Sequence, residues 1–202
     1  MRYEFLADTY ETERIKVLSA WSEFRDEDLP VRPRANDPRG RSVLEQMVHQ
    51  CVSENLWFLN MLGIDVNAPL PVAETRVEFM KRYAEDSGKR LAALRTKEDS
   101  WWESETRFFD VPRSRAWVLV RRIAHTAHHR GQQMAMLRML GREIHSNYGP
   151  TADTGGLMQN HAPTIYGYAT VQALLDGEMK GGAKAPLPGA AGKAVTERPD
   201  KK

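Results

Sequence analysis

Three histidines set into apolar helical stretches are the residues of this sequence best suited to chemistry. His49 stands in Ser42-Val-Leu-Glu-Gln-Met-Val-His49-Gln-Cys51. His125 and His129 stand in Arg122-Ile-Ala-His125-Thr-Ala-His128-His129-Arg-Gly-Gln-Gln133. On a helix, positions i and i+4 lie only about 40° apart and stack on one face, so His125 and His129 can aim two imidazoles at one point. Imidazole is the commonest metal-ligand side chain and suits divalent transition metals. A third imidazole from another helix would complete a facial three-nitrogen site with open positions for water or substrate. The expected ligand set is therefore His49, His125 and His129.

A lone core histidine is more simply a packing residue hydrogen-bonded to a neighbour. The i, i+4 pair, joined by a third histidine near the middle of a second helix, shifts the balance towards a metal. His49 continues the line Glu45, His49, Val52, Leu56, Leu59, and the pair continues Val118, His125, His129, Gln132, Met136. Both lines are largely apolar, so both are expected to face the interior, where an imidazole needs partners for its nitrogens. His128 is about 60° off His125 and about 100° off His129, which points to packing or hydrogen bonding rather than ligation. His145 and His161 fall where loops dominate. Thr126 stands where a zincin H-E-x-x-H motif carries its glutamate base, so a peptidase reading lacks its proton-transfer residue. Cys51 lies about 200° around the helix from His49 and reads as a small buried hydrophobe. Glu54 and Gln132 are the nearest candidates for outer partners of the ligands. Trp57, Phe58, Trp101 and Trp102 read as core or cover. The pairs Gly155-Gly156 and Gly181-Gly182 have no strand before them and are not phosphate loops.

The elements that must position these residues are helices. A first helix is expected from near Tyr3 to near Phe24, burying Tyr3, Leu6, Tyr10, Val17, Trp21 and Phe24 at helical spacing. A loop with Pro30, Pro33, Pro38 and Gly40 follows. Ser42 with Glu45 reads as a capping box opening a second helix, and Gly63 sits where a terminating glycine belongs. The linker from Ile64 to Glu74 could span on the order of 36 Å, enough to run the length of a bundle. Thr75 with Glu78 reads as a second capping box, opening a third helix with a seam of Val77, Met80, Ala84, Ser87, Leu91 and Leu94. Alternation between Asp99 and Pro112 suits a short strand pair. Ser114 caps the fourth and longest helix, which Gly141 ends. Asn147 to Gly156 is turn chemistry, Val171 to Met179 a short last helix, and Gly181 to Lys202 lacks apolar bulk and is expected to be disordered. The chain therefore reads as all-α: a four-helix bundle over residues 1–145, a C-terminal extension packed on it over 146–180, and a disordered tail over 181–202.

Composition narrows the partners. Across 202 residues, 29 Lys and Arg nearly balance 27 Asp and Glu, and no dense basic stripe offers itself to nucleic acid. One cysteine excludes an intrachain disulfide and fits a reducing cytoplasm. No signal peptide is read at the N-terminus, and no apolar run is long enough to span a membrane.

With those residues in place, the sequence resembles the DinB superfamily. The resemblance rests on His49 in the second helix, on His125-x-x-x-His129 followed by Arg130-Gly131-Gln132, and on Tyr148-Gly-Pro-Thr-Ala-Asp-Thr-Gly-Gly156. It spans roughly Met1 to Glu178. The shared name with a translesion polymerase misleads, because this chain lacks that enzyme's length and acidic two-metal site. The resemblance implies a bundle in up-down-down-up order, often a homodimer. It also implies a divalent metal on His49, His125 and His129, zinc or nickel first, iron or manganese next. Characterised relatives include thiol-dependent S-transferases and a mycothiol-dependent isomerase.

A neutral three-imidazole site leaves the metal's full charge to act on other ligands. The leading expectation is a metal-dependent transferase acting on a small-molecule substrate with a low-molecular-weight thiol. The alternatives are a metal-assisted hydrolase, for which no proton shuttle can be located, and a non-catalytic metal-binding bundle. A fourth protein ligand would favour the last, because structural zinc sites close with four.

Overall fold

The four expected helices form at the expected places in the computed structural model, which describes residues 2–190 and Gly192. They are α1 (Glu4–Ser22), α2 (Val43–Leu62), α3 (Arg76–Arg95) and, after a short α4 (Asp99–Glu103) and a hairpin of β1 (Glu105–Phe108) with β2 (Val111–Ser114), the long α5 (Arg115–Met139). A last helix, α6 (Val171–Met179), closes the described chain.

The end signals work as local chemistry. Ser42 Oγ accepts from the Glu45 N–H at 3.2 Å, and Glu45 Oε2 accepts from the Ser42 N–H at 2.8 Å, so both halves of that capping box form. Gly63 ends α2 at φ 65°, a conformation that suits glycine. The box at Thr75 is only half made. Thr75 Oγ1 accepts from the Glu78 N–H, but the Glu78 carboxylate takes Lys81 instead, at 2.7 Å. Ser114 caps α5 by accepting from the Trp117 N–H.

The helix directions follow from a few contacts. The Arg76 N–H, at the start of α3, donates to Asp26, just past the end of α1. The start of α2 bonds back to the same loop through Val43 and Leu44. Arg142, just past α5, pairs with Asp28 at 2.6 Å. The ends of α1 and α5 and the starts of α2 and α3 therefore share one end of the bundle. This is the up-down-down-up order, with the 64–74 linker running back along its length. Helix α1 packs against α3 and α5, and α2 packs against the same two.

Two apolar clusters fill the bundle, one around Trp21, Met47 and Tyr83 and one around Tyr10, Phe58 and Val118. Between them, Glu54 is buried at the centre. Its carboxylate accepts from Tyr10 Oη at 2.6 Å and pairs with Arg90 at 3.1 Å and Arg122 at 3.4 Å. Burial pushes the Glu54 carboxyl up, but Arg90 and Arg122 outweigh it and hold it below the usual carboxylate range.

Beyond α5, Asn147 donates to the Lys16 carbonyl, Tyr148 donates to Glu13, and α6 lies against α1 and α3. Over 181–190 the chain has no regular structure, yet the Ala185 N–H reaches the Gly167 carbonyl and the Gly189 N–H the Asp153 carbonyl. The rest of the tail, where disorder was expected, lies outside the described residues apart from Gly192. Among the described residues, no helix is long and apolar enough to cross a membrane.

Candidate metal centre

Helices α2 and α5 pack side by side and bring the three histidines together. His125 Nε2 and His129 Nε2 are 2.9 Å apart. The His49 ring centre lies 4.7 Å from that of His129 and 5.9 Å from that of His125. One ring nitrogen from each residue lies within 4.8 Å of the others, and no further His, Cys, Asp or Glu joins the group among the described residues.

These residues could hold a metal ion. Two nitrogens each about 2.0–2.1 Å from one zinc sit roughly 3 Å apart, a spacing His125 and His129 already have. The donors are kept neutral, as ligands must be. Burial, followed by the Arg122 charge, pushes His125 down to about 4, and burial, followed by the His49 charge, pushes His129 down to about 4. His49 is lowered by burial and by Arg41. Gln132 Oε1 lies 3.1 Å from His129 Nδ1. An N–H donated there leaves the Nε2 lone pair turned to the other rings. His125 Nδ1 is buried without a partner, so its ring is set by packing against Trp57, with ring centres 5.5 Å apart.

The α5 line turns inward as expected, with Val118, His129 and Met136 buried, but the α2 line does not. Of the α2 line, Glu45 is exposed, His49 is half-buried, and Val52, Leu56 and Leu59 are 40%, 48% and 41% exposed. The face of α2 that is buried carries Met47, Gln50, Cys51, Glu54, Phe58 and Met61. It is rotated from the expected one because paired Glu54 and hydrogen-bonded Gln50 can be buried. The three imidazoles therefore lie at the seam of α2 and α5, with His49 and His125 half-buried and His129 buried beneath them.

The remaining residues fall as follows. His128 is exposed and stands outside the triad, its Nε2 3.2 Å from Gln132 Nε2. Gln132 thus bridges His128 and His129, whereas Glu54 is taken up wholly by the buried ion cluster. His145 turns away to Glu23 and the Ala185 carbonyl, and His161 sits on an exposed turn. Trp57 is cover, and what it covers is the His125 ring. Arg122 was not foreseen. It pairs with Glu54, donates to Ser53 Oγ at 3.0 Å, and stacks on Trp57. Its place one turn before His125, in a helix facing Glu54, was the available signal.

Beside His49 lies a cavity of about 350 Å³ lined by Val52, Ser53, Leu56, Trp57, Asn60, Met61 and Phe109. A larger one, about 710 Å³, lies where α1 ends and α3 begins, and several of its charged side chains are already paired: Arg76 with Glu178, Arg142 with Asp28, His145 with Glu23.

The family model described as the DinB family matches residues 4–156. Among solved structures, a DinB-like protein from Bacillus cereus ATCC 10987 superposes with a TM-score of 0.61 at 20% identity, covering 72% of this chain and 97% of that one. A DinB-like protein from Bacillus subtilis gives 0.55 at 15% identity, covering 68% and 92%. At these identities the likeness is one of fold. No curated protein matches the chain significantly.

Proposed function

Because this chain belongs to the DinB family and faces three imidazoles across two helices, we propose that it binds a divalent transition metal on His49, His125 and His129 and acts as a metal-dependent transferase using a low-molecular-weight thiol. The observation that carries this reading is a ring nitrogen from each of three histidines within 4.8 Å of the others at a seam where His49 and His125 are half-buried, with no fourth protein ligand among the described residues. When bound, such an ion would supply Lewis acidity, lowering the pKa of a thiol or water beside it or polarising a carbonyl.

The chain's own residues define the rest. Gln132 orients His129, and Trp57 walls off His125. The thiol must come from outside, because Cys51 is buried and burial pushes its pKa up to about 12. The nearest buried carboxylate, Glu54, is locked between two arginines and cannot accept a proton from substrate. That disfavours the hydrolase reading, which needs a proton shuttle.

The test begins with elemental analysis of protein purified without a nickel-affinity column. Near-stoichiometric zinc, nickel, iron or manganese is expected, abolished in His125→Ala. Full occupancy in His49→Ala would remove that residue from the ligand set. Incubation of the loaded protein with bacillithiol, mycothiol or glutathione and a panel of electrophiles then tests transfer, and no turnover with any thiol would overturn that part of the reading.

A further inference from the structure

The hairpin between α4 and α5 turns on Phe109 and Asp110, since Phe108 pairs with Val111. Phe109 sits at φ 52°, in the left-handed region that a bulky side chain rarely adopts. Its ring is 67% exposed, so core burial does not hold it there. A two-residue hairpin loop requires a positive φ at its first position, which glycine meets without strain, yet a phenylalanine stands there. The turn places its ring over the cavity beside His49, in edge contact with Trp57 at 6.4 Å between ring centres.

The cavity's other walls are Val52, Leu56, Trp57 and Met61. Its polar groups are the His49 ring, the Asn60 amide and the Ser53 hydroxyl, the last already engaged by Arg122. No Asp, Glu, Lys or Arg lines it. A charged group entering would lose its water without gaining a partner, whereas an apolar group would cover exposed Val52 and Leu56. The volume is that of a small ligand site.

We propose that this cavity is the substrate-arm subsite: it takes an uncharged aryl or branched-alkyl group and so delivers the atom next to that group to the three histidines. The proposal rests on the reading of the histidines as a reactive centre and names the class of substrate that centre takes: small molecules with an apolar arm, not sugars or polyanions.

The probes are 4-methylbenzyl alcohol and its charged counterpart 4-(hydroxymethyl)benzoate, titrated into metal-free and zinc-loaded full-length protein. Binding is followed through the Trp57 indole N–H resonance, assigned by its loss in Trp57→Phe. Zinc affinity and sedimentation are measured in parallel. We expect saturable binding of the alcohol to both forms and, in metal-free protein where no zinc can ligate the carboxylate, at least tenfold weaker binding of the benzoate. Phe109→Asn, which tolerates the left-handed φ, should weaken the alcohol about tenfold while leaving Tm no lower and zinc affinity unchanged. Absence of saturable binding by protein that still binds zinc would overturn the subsite. So would equal binding of the benzoate by metal-free protein, or Phe109→Asn binding like the parent. Aryl binding by a protein that fails to bind zinc would sink the metal reading and leave the subsite standing. A dimer that Leu56→Glu splits, with no aryl binding by the parent, would make this face an interface between copies and end the proposal.

Discussion

Arg122 lays its guanidinium 5.4 Å from the centre of the Trp57 ring while one of its nitrogens reaches the buried carboxylate of Glu54 at 3.4 Å. One side chain thus joins the charge at the heart of the bundle to the wall of the histidine cluster, since Trp57 is also the ring against His125.

Arg122→Met should therefore act on fold and site together. It leaves Glu54 buried with Arg90 as its one remaining charge partner, and breaking such a pair costs about 3–5 kcal/mol. For a chain of this length each kcal/mol moves Tm by roughly 2–4 °C, so thermal unfolding should show a fall of about 6 °C or more. Arg122→Lys should fall as well, because an ammonium cannot stack on Trp57 and reach both Ser53 and Glu54. A Tm within a degree of the parent would mean that Arg90, Tyr10 and Tyr83, whose hydroxyl donates to Glu54 Oε2 at 3.4 Å, satisfy Glu54 by themselves.

Gln132 offers the opposite separation. It is exposed, and its amide contacts His129 and His128. Gln132→Leu should leave thermal stability nearly unchanged while lowering metal affinity about 10–100-fold, the usual effect of removing a ligand's orienting partner. His128→Gln should leave that affinity alone. Competition with a chromophoric chelator measures both, and equal affinities for parent and Gln132→Leu would mean that helix packing alone orients His129.

The contrast between Gln132 and Glu54 also marks what the sequence could show. Helix ends were legible because a cap is chemistry within four residues: Ser42 with Glu45, Gly63 and Ser114 each act as read. The pairing of His125 with His129 was legible because i, i+4 is a property of one helix. Which face of α2 turns inward was not. That choice depends on Arg90 and Arg122, which arrive from α3 and α5 and make it cheap to bury Glu54. An apolar line through His49 then became the outer face, and the site moved from the core to a seam. The placing of Phe109 on the cavity beside His49 was illegible for a related reason, since it comes from a backbone angle that composition does not reveal.

The pair of His145 with Glu23 gives a pH signature well away from the triad. His145 Nδ1 is 2.9 Å from Glu23 Oε1, and its Nε2–H donates to the Ala185 carbonyl at 2.7 Å. The Glu23 hydrogen bond raises the imidazole pKa above its ordinary value. Burial and Lys184, whose ammonium is 3.8 Å from Glu23, oppose it without cancelling it. A histidine with a raised folded pKa lends stability that is complete below about 6.5, its unfolded value, and lost as pH climbs through the folded value. The Tm difference between the parent and His145→Gln should be largest near pH 5.5 and shrink above neutrality. A gap that stays flat, or widens with pH, would show that the pair is held by shape and not by charge.

Cys51 supplies the last test, because it separates a thiol brought in from a thiol built in. It is the chain's single cysteine, and its sulfur lies 2% exposed in the core beside Met47 and Tyr83. Burial pushes the pKa up to about 12, so almost no thiolate forms near neutral pH. Native protein should react with a disulfide reagent far more slowly than a free thiol does, and denatured protein should release one equivalent per chain. Cys51→Ala should cost about 1 kcal/mol through lost packing and leave both metal content and thiol-dependent turnover at the parent level. Loss of turnover in Cys51→Ala that still holds its metal would make Cys51 the nucleophile, and the requirement for an external thiol would fall with it.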